Sequence, residues 1–241
     1  MDEWFETWFD TKYYQILYKN RDDAEAEAFL DRLIGQIPIL TDHHILDLAC
    51  GSGRHSHYLS SLGYRVTGTD LSGHSIEQAR KRCCDAEFIV QDMRNPLPGK
   101  EFDVVLNLFT SFGYFDSVKD NESAVKAIRR NLKPNGTLVI DFLNADSDIR
   151  CLPGTELKSV DGIEFEIQKK ISCKKIRKNI SFVAEGVTHA YFEEVELLRL
   201  SDFQELLASA GLAIVGTYGN YRLEPWSETS ERLILIAKPV Q

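Results

Sequence analysis

The sequence predicts an α/β protein built on a parallel sheet, with an antiparallel β-meander set into its second half. Three observations carry that prediction. Residues 45–56, Ile-Leu-Asp-Leu-Ala-Cys-Gly-Ser-Gly-Arg-His-Ser, pass from a short apolar run through small residues into a helical pattern, which reads as strand, tight turn and helix. Apolar runs and helical stretches then alternate as far as Phe142, the pattern of parallel strands with crossover helices. From Thr155 to about Leu198 apolar residues alternate instead, at Ile163, Phe165 and Ile167 and again at Ile176, Ile180 and Phe182, with charges between them, as in antiparallel strands.

Each element has its own local signal. Trp4, Phe5, Trp8 and Phe9 recur at helical spacing and precede a second cluster of Tyr13, Tyr14, Leu17 and Tyr18. Such a stripe serves either as a core-facing surface or as a lid whose tyrosine faces attract a cation. Asp22 is the expected N-cap of a helix running to about Ile34, with Gly35 just past its end. Pro38 breaks the chain before the first strand, and Arg54 to Leu62 is the next helix, stopped by Gly63. Strands are expected over Tyr64–Thr69, Glu87–Val90 and Phe102–Leu108, with a helix from Gly73 to Cys83 capped by Ser72. A helix from about Asn121 to Leu132 leads to the turn Lys133-Pro134-Asn135-Gly136 and then to a strand, Thr137–Phe142. Ser201 and Gln204 form a capping box for a helix over Phe203–Ala210, stopped by Gly211, and strands over Ala213–Tyr218 and Leu233–Lys238 close the chain.

The 241 residues suit one domain with an insert: residues 1–36 as an N-terminal helical segment and 155–198 as the meander. No apolar run approaches a membrane span, and the first residues are acidic, unlike a secretory signal, so a cytoplasmic protein is expected. Five cysteines with no C-x-x-C pair suggest reduced thiols rather than a disulfide framework or zinc site. His43, His44, His55 and His57 match no metal-ligand spacing, so no metal is expected. A net charge of −9 argues against a broad nucleic-acid surface and favours a small-molecule partner.

The turn itself narrows the cofactor. Glycines let the backbone approach a ligand, and the N–H groups opening the next helix favour an anionic group such as a carboxylate. A dinucleotide fingerprint needs a small residue at position 54, where Arg54 stands. Asp47 beside the turn disfavours a pyrophosphate, whereas the ammonium and sulfonium of S-adenosylmethionine tolerate a carboxylate.

Asp47-Leu48-Ala49-Cys50-Gly51-Ser52-Gly53 resembles the first motif of the class I S-adenosylmethionine-dependent methyltransferases, acidic-x-G-x-G-x-G, with Ala49 in place of the first glycine. The alanine is expected to require negative φ. The resemblance implies a Rossmann-like fold with a mostly parallel seven-stranded sheet and an antiparallel last strand. Leu-Lys-Pro-Asn-Gly before a strand, and the closing run of helix, Ala-Gly-Leu, strand, loop and strand, resemble the family as well. Asp70 falls 23 residues after Asp47, the interval expected of an acidic residue that bonds ribose hydroxyls from the next strand tip, with Leu71 beside it. By resemblance, Asp92 bonds the adenine amino group and the Met93 N–H reads the ring, while Asn107, Leu108 and Phe109 at the end of the fourth strand are expected to face the methionine part. The cofactor-binding set is thus Tyr14, Asp47, Ala49, Cys50, Gly51, Gly53, Asp70, Leu71, Asp92, Met93, Asn107 and Leu108. Tyr14 enters it because the family folds its N-terminal segment over the cofactor.

Methyl transfer to a small-molecule nitrogen or oxygen needs alignment and exclusion of water more than a strong base. Substrate-pocket candidates are Tyr14, Tyr114 in the aromatic stretch after the fourth strand, and His189 in the meander. The basic cluster Lys169, Lys170, Lys174, Lys175, Arg177 and Lys178 is the feature on which an RNA or protein substrate would rest, against the simpler reading of a solvated strand face. A third possibility is a cofactor-binding protein without catalysis.

Overall fold

The computed structural model describes residues 4–19, 23–115, 117–150 and 154–240. Asp22, expected to cap a helix, and Cys151 lie outside the described residues. The helices are α1 (Trp4–Trp8), α2 (Lys12–Leu17), α3 (Asp23–Gln36), α4 (Arg54–Ser61), α5 (Gly73–Arg82), α6 (Val118–Asn131), α7 (Ala145–Arg150) and α8 (Leu200–Ser209). The strands are β1 (His44–Leu48), β2 (Arg65–Asp70), β3 (Glu87–Val90), β4 (Phe102–Asn107), β5 (Leu132–Leu143), β6 (Thr155–Val160), β7 (Ile163–Ser172), β8 (Lys175–Ala184), β9 (Val187–Glu196), β10 (Leu212–Tyr218) and β11 (Arg232–Pro239).

Seven strands form one sheet in the order β10-β11-β5-β4-β1-β2-β3. β1 is parallel to β2 and β4, while β11 runs antiparallel to β5 and β10. All five β1 residues are buried, as a central strand covered on both faces requires. Strand order reverses between β1 and β4, and the crevice at their C-terminal ends is where an open α/β sheet receives a ligand.

Several boundaries differ from expectation. Gly35 lies inside α3, not after it. Ser117 caps α6, placing its start three residues before Asn121. α8 begins at Leu200, and the Arg199 backbone N–H donates to Asp202 (2.7 Å), so Ser201 and Gln204 are not its box. The Lys133–Gly136 turn is contained within β5: Leu132 pairs with Phe102 and Thr137 with Val104, extruding the residues between. Ser72 caps α5 as expected, accepting from the Ser75 N–H at 2.9 Å.

The meander is a separate four-stranded sheet, β6-β7-β8-β9, with antiparallel neighbours throughout. Its two-residue turns, Asp161-Gly162, Cys173-Lys174 and Glu185-Gly186, all have positive φ at both positions, the twist that suits tight hairpins. One face buries Val160, Phe165, Ile167, Ile180 and Phe182 against Trp8, Tyr13 and Leu17 of the N-terminal segment. In the basic cluster, Lys175 and Arg177 flank Glu194 at 3.0 and 2.6 Å, and Lys178 approaches Glu193 at 3.3 Å. These are cross-strand ion pairs on a sheet, which accounts for half of the cluster without a polyanion.

Candidate active site

The glycine turn is the floor of the site. Ala49, Gly51 and Gly53 have φ of 61°, 55° and 77°, all left-handed. The negative φ expected at Ala49 is therefore wrong. Ala49 ends the strand in this costly conformation while the Cys50 N–H still bonds the Thr69 carbonyl of β2 at 2.9 Å. The glycines differ in purpose. A Cβ on Gly53 would stand 2.9 Å from Cβ of Ala79, so that glycine lets α4 and α5 approach each other. A Cβ on Gly51 would meet nothing within 4 Å, so Gly51 serves the left-handed backbone beside open space.

Two carboxylates flank this turn. Asp70, at the β2 tip, accepts from the Gly51 N–H (2.8 Å) and the Ser72 N–H (2.9 Å) and faces a cavity. Burial raises its pKa against the pull of those donors. Asp47 is 1% exposed beneath the turn and accepts from the Ser56 hydroxyl at 2.6 Å. Burial pushes its pKa up to about 6. Its carboxyl supports the floor from below rather than lining the cavity.

That cavity, about 710 Å³, opens over the C-terminal ends of β1, β2 and β4. It brings together ten of the residues expected from sequence: Tyr14, Ala49, Cys50, Gly51, Asp70, Leu71, Asp92, Met93, Leu108 and Tyr114. Asp92 holds Arg94 through its Nε (2.9 Å) and Nη2 (2.6 Å), and that guanidinium lies over Phe115 at 4.8 Å. Tyr114 donates to the Thr110 carbonyl and meets Phe9 edge-on at 5.3 Å.

Four expected residues stand outside the wall. Asp47 and Gly53 lie beneath it for the reasons above. Asn107 is fully buried, donating to the Leu48 carbonyl at 3.1 Å, and its Oδ1 has no donor. His189, a substrate candidate, is stacked on Phe182 at 5.0 Å and packed against Tyr13 at 4.7 Å. The alternation along β9 turns its ring into the aromatic layer under the N-terminal segment, so it is corrected to a packing residue.

The N-terminal segment forms the roof. Phe5, Phe9, Asp10, Tyr14, Gln15 and Tyr18 line the cavity, while Trp8, Tyr13 and Leu17 are buried on the meander. The aromatic stripe thus divides, one set of side chains packing on the meander and another lining the cavity. Glu193 secures the roof, accepting from Trp8 Nε1 (3.0 Å) and the Tyr18 hydroxyl (2.7 Å). At the other edge Asp10 accepts from the Ser72 hydroxyl and the His74 N–H.

Sequence reasoning missed the support of the far wall. Phe109 and Thr110, at the β4 tip, both have left-handed backbones, with φ of 58° and 59°. Asp141 holds them: its Oδ2 accepts from the Phe109 N–H (2.9 Å) and its carbonyl from the Thr110 N–H (2.9 Å). Arg232 completes the knot, with Nε 2.8 Å from Asp141 Oδ1 and Nη2 2.8 Å from the Thr110 hydroxyl. Although burial disfavours the Arg232 charge, the Asp141 carboxylate holds its pKa up. A charge inside the apolar run Leu138 to Phe142 was the available signal. Asp10 and Gln15 had none.

The donor set fits S-adenosylmethionine. Two strand-tip carboxylates, Asp70 and Asp92, suit its ribose and adenine, and the open space beside Gly51 on the turn suits its methionine part. A pyrophosphate would find Asp70 and the desolvated Asp47 against it.

Comparison with known proteins agrees. A methyltransferase-domain family matches residues 45–136. The chain is 32% identical over 220 residues to a dTDP-3-amino-3,4,6-trideoxy-α-D-glucopyranose N,N-dimethyltransferase of Streptomyces venezuelae, covering 83% of this chain and 89% of that one. Among solved structures, an S-adenosylmethionine-dependent methyltransferase from Clostridium acetobutylicum superposes with a TM-score of 0.81 at 19% identity, covering 95% and 96% of the two chains. The S-adenosylmethionine-bound amino pentose methyltransferase CalS10 from Micromonospora echinaspora gives 0.72 at 21% identity, covering 95% and 98%. Fold and site define a Rossmann-like methyl-transfer enzyme. This chain belongs to the class I S-adenosylmethionine-dependent methyltransferases.

Proposed function

We propose that the chain methylates an amine nitrogen of a small molecule. The observation that carries this reading is the one cavity in which the glycine turn, Asp70 and Asp92 meet an aromatic roof and the Tyr114 wall. Its volume suits the cofactor together with a small acceptor. The amino-sugar dimethyltransferase from Streptomyces venezuelae, alike over most of both chains, supports nitrogen as the acceptor. S-adenosylmethionine supplies an electrophilic methyl group when bound there.

The chain's own residues orient and enclose. Asp70 binds the ribose hydroxyls, and Asp92 with the Met93 N–H reads the adenine. Ala49, Cys50, Gly51 and Leu108 bracket the methionine part, with Leu71 against the adenosine. Tyr14 and Tyr114 face the transfer position, where tyrosine rings favour a sulfonium and keep water out. An amine acceptor, once deprotonated, carries its own nucleophilic lone pair, so alignment is the main requirement.

In this reading residues 1–36 act as a lid and 155–198 as an insert that supports it. Among the described residues no helix is long and apolar enough to cross a membrane. With reduced cysteines and a charge of −9, we read a cytoplasmic enzyme that does not act on nucleic acid.

Incubation with methyl-labelled S-adenosylmethionine and matched amino and hydroxyl forms of small molecules, sugars included, tests the proposal. Label in the amines alone supports it. Transfer to the hydroxyl forms, to RNA or to protein in preference would reject it.

A further inference from the structure

One face of α2 presents Tyr14, Gln15 and Tyr18 to the cavity, and the adjacent face buries Tyr13 and Leu17 on the meander. The Gln15 side-chain nitrogen, Nε2, is buried and has no hydrogen-bond partner. Buried donors are nearly always satisfied, and Gln15, a residue of the cavity wall, carries one that is not. Several charged groups nearby are already engaged. Asp10 accepts from the Ser72 hydroxyl and His74 N–H, Asp70 from the Gly51 and Ser72 N–H groups, and Asp92 from Arg94. Lys19 bonds Asp161 at 2.9 Å, and Arg82 bonds Asp23 at 2.8 Å.

We propose that Gln15 is a cofactor-positioning residue whose side-chain N–H donates to the carboxylate of the methionine part of S-adenosylmethionine. The assignment rests on the roles given above to Asp70 and Asp92. Those roles place ribose and adenine at the β2 and β3 tips, which leaves the carboxylate as the strong acceptor at the turn end. There the N–H groups opening α4 favour an anion from below, and Gln15 meets it from the roof. Because Gln15 belongs to the roof, the carboxylate that satisfies it also holds the N-terminal segment down over the reacting methyl group. The unliganded protein carries the cost of the orphan, and the liganded protein is relieved of it.

Gln15→Met keeps length and removes the donor, while Gln15→Glu replaces it with a charge that repels a carboxylate. Calorimetric titration of the full chain with S-adenosylmethionine, S-adenosylhomocysteine and decarboxylated S-adenosylmethionine reads the effect. For Gln15→Met we expect roughly tenfold weaker binding of the first two ligands, unchanged binding of the decarboxylated one, and an unliganded melting temperature equal to or above wild type. Gln15→Glu should weaken the carboxylate-bearing ligands further. Equal losses for all three ligands, unchanged dissociation constants, or tighter binding by Gln15→Glu would overturn the assignment. Wild-type protein that binds none of the three would instead defeat the underlying cofactor reading.

Discussion

Asp47 and Asp70 lie on either side of one turn, yet desolvation treats them differently from any surface carboxylate, and this makes binding sensitive to pH. The Asp47 carboxyl has a folded pKa of about 6 against an ordinary value of 3.8. A carboxyl whose pKa rises on folding contributes stability that is complete below the unfolded pKa and is lost as pH rises through the folded one. Ionisation of Asp47 thus costs at most about 3 kcal/mol, spread between about pH 4 and 6. Asp47→Asn should gain stability relative to wild type as pH rises through that window, measured by urea unfolding; parallel pH curves would contradict it. A cationic ligand favours the ionised form, so S-adenosylmethionine should bind more tightly from pH 5 to 7 while the neutral-sulfur product changes less. Asp70→Asn should weaken the cofactor by on the order of 1.5 to 3 kcal/mol, the scale of lost charge-assisted hydrogen bonds, as read by calorimetry. An unchanged constant in folded protein would remove Asp70 from the ribose site. Tyr14→Phe keeps the ring and removes the hydroxyl; if that hydroxyl meets the ligand, affinity falls with little change in melting temperature.

At the scale of elements, the β4 tip depends on β5 and β11. Two consecutive left-handed residues, Phe109 and Thr110, persist because Asp141 takes both of their N–H groups and Arg232 ties Asp141 to the Thr110 hydroxyl. Asp141 is fully buried, so Arg232→Met would leave an unpaired interior charge. The expected loss is about 3 to 5 kcal/mol, with reduced turnover because Phe109, Ser111 and Tyr114 on the same loop lose their placement. Chemical denaturation checks the first and initial rates the second; a variant with wild-type stability would show that the pair is not what holds the loop. Arg232 sits on an antiparallel strand far along the chain, which is why an enzyme of this topology needs its last strand for the site and not only for the sheet.

Across the whole molecule, the roof is fixed to two bodies at once. Trp8 and Tyr18 reach Glu193 of the meander, whereas Asp10 reaches the start of α5 in the cofactor domain. Glu193→Ala would leave the buried Trp8 indole N–H without its acceptor and take one acceptor from the Tyr18 hydroxyl. We expect a loss of roughly 1 to 3 kcal/mol and faster release of cofactor, measured by stopped-flow. Unaltered release in a destabilised variant would mean that the meander supports the fold without governing the roof.

The parallel sheet, the presence of an antiparallel meander and the placing of carboxylates at the end of β2 and just past β3 were legible in the sequence, because periodicity and turn residues are local properties of the chain. Glu87 to Val90 is a strand at both levels for that reason. The left-handed Ala49 was not, since an alanine's own preference points the other way and its conformation is set where β1 leaves the sheet for the turn. His189 looked available beside a substrate until cross-strand pairing put it opposite Phe182 and under Tyr13. Gln15 and Asp10 carry no local signal at all. Their meaning comes from a segment whose neighbouring side chains, Trp8, Tyr13 and Leu17, are buried on a sheet some 150 residues later, a contact set by hydrophobic burial across the molecule and not by any pattern along the chain.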